Sequence, residues 1–202
     1  MVPNLYPAFE RQEVVVHSPR HVRTFAELTD AELAAIATAW AIRRRTAATE
    51  GFPYVHALIN EGSAAGSSLP HSHSQLVWLR EPPPEVERES ETGLAELRAE
   101  TALIVAREDP VWALVHPCGR LPYETVILGE PFELGPALAL LRTVVARLRA
   151  VEGPVSWNAW LHKDHLELVP RLSTLAGVEL GAGIYVNTVA PEDAAEALRA
   201  AG

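Results

Sequence analysis

Several residue types are scarce in this sequence, and each shortage removes a class of protein. The 202 residues hold one cysteine, Cys118, so no internal disulfide can form, a zinc ribbon is barred, and a reducing cytoplasmic compartment is the default. Basic residues number 17 against 26 acidic ones, a formal net charge of -9. That balance disfavours a nucleic-acid or anionic-membrane surface, and any phosphate must be met in a local pocket. Lys163 is the single lysine among the basic residues; the preference for arginine reads as base composition and carries no function. No apolar run approaches the roughly 18 residues of a membrane span. The first turns of the chain carry Pro3, Pro7 and Glu10 where a signal peptide would place an apolar core.

What remains is the profile of one soluble domain: 48% hydrophobic, with 12 Gly and 16 Pro, neither disordered nor collagen-like. A chain of this length can bury roughly 70% of its unfolded surface without help from metal or disulfide. Thr29 and Glu32 form a capping-box pair ahead of Leu33, Ile36 and Trp40, predicting a helix that ends before Gly51. A second helix is predicted from Pro136 through Leu138, Leu141, Val145 and Leu148 to near Gly153, and a third from Pro191 to the C-terminus. Strand-like runs fall at 13–16, 54–59, 75–79, 103–106, 111–115, 124–128, 155–161 and 165–169. Strand, long helix and two strands recur over 14–79 and 124–169, a weak internal echo. The first copy carries an inserted Gly/Ser loop at 60–70, which assigns the chemistry to that copy. Pro82 to Pro84 and the charged stretch 85–91 separate the copies and read equally as a solvated linker or as part of a site.

The densest chemistry lies in residues 60–75. The loop, with Gly66, Ser67 and Ser68, offers approachable N–H groups and hydroxyls that can cradle phosphate oxygens without a strong positive charge. In the strand that follows, alternation sends His71, His73 and Gln75 to one face and leaves Ser72 and Ser74 on the other. A neutral imidazole is a competent nucleophile toward phosphorus near neutral pH. Gln75 can hold a phosphoryl oxygen but cannot act as acid or base, which favours transfer over hydrolysis. A bare His-x-His also describes two half-buried loop histidines; the surrounding loop turns the reading toward chemistry.

These residues resemble the galactose-1-phosphate uridylyltransferase family of the histidine-triad superfamily and its adenylyl-transferring relatives. Residues 2–7, 13–21, 60–75, Arg120-x-Pro-Tyr-Glu124, Leu161-His162, His165-x-Glu167-x-x-Pro170-Arg171 and 181–187 carry the resemblance. It implies an α/β (α+β) histidine-triad-like fold of two tandem halves, 1–81 with the active-site block and 82–202 with linker and second half, each an antiparallel sheet with a packed helix. It also implies that His73 attacks the α-phosphorus of a nucleoside diphosphate sugar to give a nucleotidyl-histidine. Gln75 and Ser68 would hold phosphoryl oxygens, and Asn60 and Asn4 would line the nucleotide pocket. Transfer of UMP to a hexose 1-phosphate is favoured over transfer of AMP. The alternatives are an ADP-glucose or dinucleotide phosphorylase with inorganic phosphate as acceptor, suggested by Ser74 and 181–187, and a truncated, non-catalytic nucleotide-binding domain.

Metal follows from the same resemblance. His21 and His71 match two ligands of the family's structural zinc, whose Cys-x-x-Cys pair is absent, so the chain is expected to lack a leading segment and to hold an incomplete zinc site. Glu89, His162 and His165 match a second metal site whose remaining position is Lys163; an ammonium cannot ligate a cation, so that site is expected to be vacant or weak and its histidines structural. No organic cofactor is implied. Glu124 reads as a surface strand residue and Cys118 as a small buried hydrophobe. The uncovered N-terminal strand, with Phe9 or Phe25 beside it, predicts pairing into a homodimer.

Overall fold

The computed structural model describes residues 1–89 and 91–202. In chain order the elements are β1 (Val2–Pro3), β2 (Arg11–Val16), α1 (Asp30–Thr49), β3 (Tyr54–Glu61), β4 (His73–Leu79), α2 (Pro84–Arg88), α3 (Glu91–Ala99), β5 (Ile104–Glu108), β6 (Val111–Val115), β7 (Thr125–Gly129), α4 (Leu134–Glu152), β8 (Trp157–Leu161), β9 (Leu166–Pro170), α5 (Gly177–Ala182) and α6 (Pro191–Ala200). The nine strands form one sheet in the order β1-β2-β4-β3-β8-β9-β7-β6-β5, antiparallel at every pairing. The echo in the sequence becomes β2-α1-β3-β4 and β7-α4-β8-β9. Their sheets join edge to edge where β3 pairs with β8. No helix among the described residues is long and apolar enough to cross a membrane.

Local sequence explains the two long helices. Thr29 caps α1 as expected: its Oγ1 accepts from Glu32 N at 3.3 Å while Glu32 Oε2 accepts from Thr29 N at 2.8 Å, satisfying two N–H groups that the first turn leaves open. Helix α4 begins at Leu134, two residues ahead of Pro136, because a proline in the first turn forfeits an N–H that has no intrahelical partner anyway. Both helices cross the same face of the sheet and pack together there, with α6 beside α4. Trp40, Leu138 and Leu141 from the helices meet Leu76, Trp78, Trp157 and Leu168 from the strands. Each such side chain contributes roughly 1.5–3 kcal/mol by leaving water. Phe25 lies in this core, fully buried against His17 and Trp157. It is therefore no part of an exposed edge, contrary to the sequence expectation; Phe9 is exposed.

The other face carries the polar residues. Register lines up Val14, Gln75, Leu58, Trp160, Glu167 and Val126 across five pairings, so one row of side chains runs from the first half to the second. Asn60 and Glu61 belong to β3 rather than to the loop, because they pair with Asn158 and Trp157.

Candidate active site

Strand β4 places His73 at its first residue, beside the loop that leaves β3. Its neighbours show why two serines flank it. Ser74 lies under α1 and its Oγ accepts from Trp40 Nε1 at 2.9 Å; Ser72 Oγ meets His17 Nδ1 at 2.8 Å. Larger side chains would push the helix away, so alternation leaves His73 on the opposite face as the sequence predicts. The imidazole is nearly buried, 6% exposed. Its Nδ1–H donates to the carbonyl oxygen of His71 at 2.8 Å, and a carbonyl can only accept. The proton therefore sits on Nδ1, and Nε2 keeps its lone pair.

A cavity of about 560 Å³ opens at this end of the sheet, lined by His73, Asn60, Ser67 and Ser68 among others. Asn60 is fixed from the second half: its Oδ1 accepts from Asn158 Nδ2 at 2.8 Å, and Asn158 Nδ2 also donates to the Ala65 carbonyl at 2.8 Å. One side chain of β8 thus holds both Asn60 and the backbone of the loop at Ala65. Gly62 opens the loop with φ +85°, and a Cβ there would meet Ser156 Oγ at 2.2 Å, so both conformation and space demand glycine. Gly66 closes the turn at φ +81°. Glu61, on the cavity wall, accepts from Thr24 Oγ1 and Phe25 N, both at 2.7 Å; burial raises its pKa against those hydrogen bonds.

Two expected residues lie apart from this cavity. Asn4 caps its own turn, accepting from Tyr6 N at 3.0 Å, lies outside the lining, and is tied to β2 where its N–H donates to Gln12 O at 2.8 Å. Gln75 is on the same face as His73, one step further along β4, where its Oε1 accepts from Gln12 Nε2 at 2.5 Å.

The zinc pair does not form a closed site among the described residues. His21 and His71 stand with ring centroids 5.9 Å apart. His71 Nε2 donates to Ser18 O at 3.0 Å, and Arg23 Nε lies 3.4 Å from His21 Nε2. Two imidazoles with a guanidinium alongside do not fit a tetrahedral cation.

The second half differs. Glu89, His162, His165 and Glu167 bring one donor atom each within 4.8 Å of one another. His165 Nε2 lies 3.5 Å from Glu89 Oε1 and 3.6 Å from Glu167 Oε1, His162 Nδ1 lies 3.7 Å from Glu167 Oε1, and His162 contacts Glu89 directly. Ligands at about 2.1 Å around a tetrahedral ion stand about 3.4 Å apart, close to the separations of Glu167 and Glu89 from His165, whereas His162 and Glu89 are in direct contact and would have to part to share a cation. Lys163 is exposed and stands outside the cluster, whereas Glu167 lies within it. Hydrogen bonding to His165 and the charges of His162 and Arg120 outweigh burial and hold the Glu167 pKa down. Arg120 binds the other Glu167 oxygen at 2.8 Å and Glu124 at 2.7 Å. Glu124 is buried, 2% exposed, and not a surface residue, because the Arg120 guanidinium and the N–H groups of Arg120 and Leu121 satisfy it. Cys118 is exposed rather than buried, since its turn leaves the sheet.

Sequence reasoning missed Arg23, Glu61 and Arg149 around the cavity, Asn158 behind Asn60, and Glu167 in the donor cluster. Alternation along β9 could have found Glu167. Nothing local marks Arg149, which reaches the cavity from the second half, or Asn158, which holds Asn60 and the Ala65 carbonyl from there.

The family described as "Galactose-1-phosphate uridyl transferase, N-terminal domain" matches residues 7–83. The chain is 26% identical to the ADP-glucose phosphorylase of Arabidopsis thaliana, over 98% of this chain and 73% of that protein. Among solved structures, a uridylyltransferase superposes with TM-score 0.90 at 23% identity, covering 99% of this chain and 84% of that one. An Arabidopsis thaliana ADP-glucose phosphorylase with bound ADP-glucose superposes with TM-score 0.87 at 22% identity, covering 98% and 80%. With the His-x-His-x-Gln strand, its loop and the fused pair of half-sheets in place, residues 7–83 carry the likeness to the galactose-1-phosphate uridyl transferase N-terminal domain, and the whole chain shares the fold of the uridylyltransferase and ADP-glucose phosphorylase structures.

Proposed function

We propose that the protein is a nucleotidyltransferase that moves a nucleoside monophosphate from a nucleoside diphosphate sugar to a phosphate-bearing acceptor through a covalent nucleotidyl-His73. One observation carries this reading: the His71 carbonyl takes the Nδ1 proton of His73 at 2.8 Å and leaves Nε2 as a lone-pair nucleophile at the cavity. Nε2 attacks the α-phosphorus, and the bond from that phosphorus to the bridging oxygen breaks with its electron pair on the oxygen. Sugar 1-phosphate leaves as a stable anion, so no general acid is required. The imidazole gains positive charge as the bond forms, and the His71 carbonyl offsets it. Ser67, Ser68 and the loop N–H groups hold the phosphoryl oxygens, with Gln75 entering from the same face. A phosphate oxygen of the acceptor then attacks the adduct and restores His73.

For the donor and acceptor we favour a UDP-hexose and a hexose 1-phosphate, in cytoplasmic galactose metabolism. A second reading, AMP transfer with inorganic phosphate as acceptor, is supported by similarity to an ADP-glucose phosphorylase along 98% of the chain. Intact-protein mass spectrometry after incubation with UDP-glucose or ADP-glucose separates them. One nucleotidyl group should appear on wild type and be absent from His73→Gly, and the donor that labels faster names the base. An unmodified wild-type mass while nucleotide demonstrably binds would overturn the covalent route.

Glu89, His162, His165 and Glu167 would hold a divalent cation such as zinc in the second half; mixed imidazole and carboxylate donors suit such an ion. Bound there, it would neutralise two carboxylates and tie the segment after α2 to the sheet. We further infer a homodimer, supported by exposed apolar side chains on two arms of the chain: Leu5, Tyr6 and Phe9, then Leu180, Ile184 and Val186.

A further inference from the structure

The loop that cradles the phosphoryl group supplies neutral donors only. That suits the single charge of a phosphodiester, but the sugar phosphate that leaves, and the acceptor that enters, carry nearly two charges each. Charge for them has to come from elsewhere in the cavity. The lining holds two cations, Arg23 from the segment between β2 and α1 and Arg149 from the last turn of α4, facing two acids, Glu27 and Glu61.

These two arginines differ from most others in the chain. Arg11, Arg20, Arg43, Arg80, Arg88, Arg98, Arg120 and Arg142 are each in an ion pair with a carboxylate. Among the described residues the Arg149 side chain makes no hydrogen bond or ion pair, and the Arg23 side chain has only its contact with His21. Glu61 is the carboxylate that feels the charge of Arg149, yet its oxygens are already taken by Thr24 and Phe25 N. The guanidinium of Arg149 is thus held near a fixed negative charge with its donors unspent.

We propose that Arg149, assisted by Arg23, is the cationic seat for the phosphate monoester or phosphate dianion that departs from and attacks the nucleotidyl-histidine. The proposal rests on the transfer reading for its purpose. A planar guanidinium pairs with two phosphate oxygens at once. Because Arg149 belongs to the second half and His73 to the first, the cavity assembles its nucleophile and its anion seat from opposite halves.

Isothermal titration of the full chain with inorganic phosphate and, separately, with glucose 1-phosphate tests this without requiring turnover. Wild type should bind at least one of them. Arg149→Gln should weaken that binding at least tenfold, Arg149→Lys should recover part of the loss, and Arg23→Gln should weaken it less. Tighter binding of glucose 1-phosphate identifies the sugar phosphate as the natural occupant; equal or tighter binding of phosphate identifies the free anion. Arg23 is exposed, so its variant keeps the test available if the Arg149 variants fail to fold. No binding by wild type, or wild-type affinity in both Gln variants, overturns the anion seat. If phosphate binding falls in Arg149→Gln while no nucleotide ever labels His73, the transfer reading fails and the seat stands. If labelling proceeds normally and phosphate affinity is unchanged, the seat fails and the transfer reading stands.

Discussion

Trp40 Nε1 donates to Ser74 Oγ at 2.9 Å across the buried boundary between α1 and the strand that carries His73. This hydrogen bond is made where both groups have left water, so losing one partner strands the other. Ser74→Ala should therefore lose about 1–3 kcal/mol in urea unfolding. Trp40→Phe also removes the indole N–H; in the Ser74→Ala background it should cost less than alone, a coupling that a double-mutant cycle reads.

Gln75 and His73 share a face, and the proposed transfer gives them different work. Gln75→Ala removes one phosphoryl donor and should lower turnover about 10²- to 10³-fold, leaving measurable rate, whereas His73→Ala should leave none. Equal residual activity in steady-state assays would contradict the division. Gln12→Ala, which frees Gln75 from its 2.5 Å partner, should move activity in the same direction as Gln75→Ala and by less.

Burial holds the His17 pKa down to about 3 from 6.5, aided by the nearby His73 and His71. The folded protein keeps this ring neutral while the unfolded chain takes up a proton below pH 6.5, so stability is full above that pH and falls as pH drops toward 3. The slope from one such group is about 1.4 kcal/mol per pH unit. His17→Gln should flatten the acid limb of a melting-temperature profile between pH 6.5 and 4; an unchanged limb would place the acid sensitivity elsewhere.

Elemental analysis of purified protein should find a divalent metal that Glu167→Gln and His162→Ala lose, with a lower melting temperature after chelation. His21→Ala should leave the metal content as it was, because that pair lacks two ligands.

Sedimentation at micromolar concentration should give a mass near twice the 22.0 kDa of the chain. Replacing Leu180 and Ile184 by Ser should shift it toward the monomer without changing the far-ultraviolet spectrum.

Much of this architecture was legible in the sequence because its signals are local. The Thr29–Glu32 pair, the recurring strand-helix-strand-strand pattern and the alternation around His73 each depend on residues within a few positions of one another. What escaped depends on the β3–β8 seam. Asn158 binds Asn60 across 98 positions, and Arg149 reaches the cavity from the far half, so neither carries a nearby mark. Glu124 was misread for a related reason: its partners Arg120 and Leu121 are close in sequence, but its burial comes from the packed sheet around it. Glu167 joins His162 and His165 through the face of β9 it occupies, not through a position in the His162-Lys163-Asp164-His165 run.

The seam where β3 meets β8 also limits how this protein can be divided. A cut at Pro82 to Pro84 would separate two pieces that each look like a unit, yet the first would lose Asn158 and the wall at Ser156 and gain a bare strand edge beside His73. Recombination or gene fission at that linker would trade a working pocket for an adhesive one. A substitution at Asn158 in one half is therefore felt at Asn60 in the other, and the seam ties the two halves into a single unit of change.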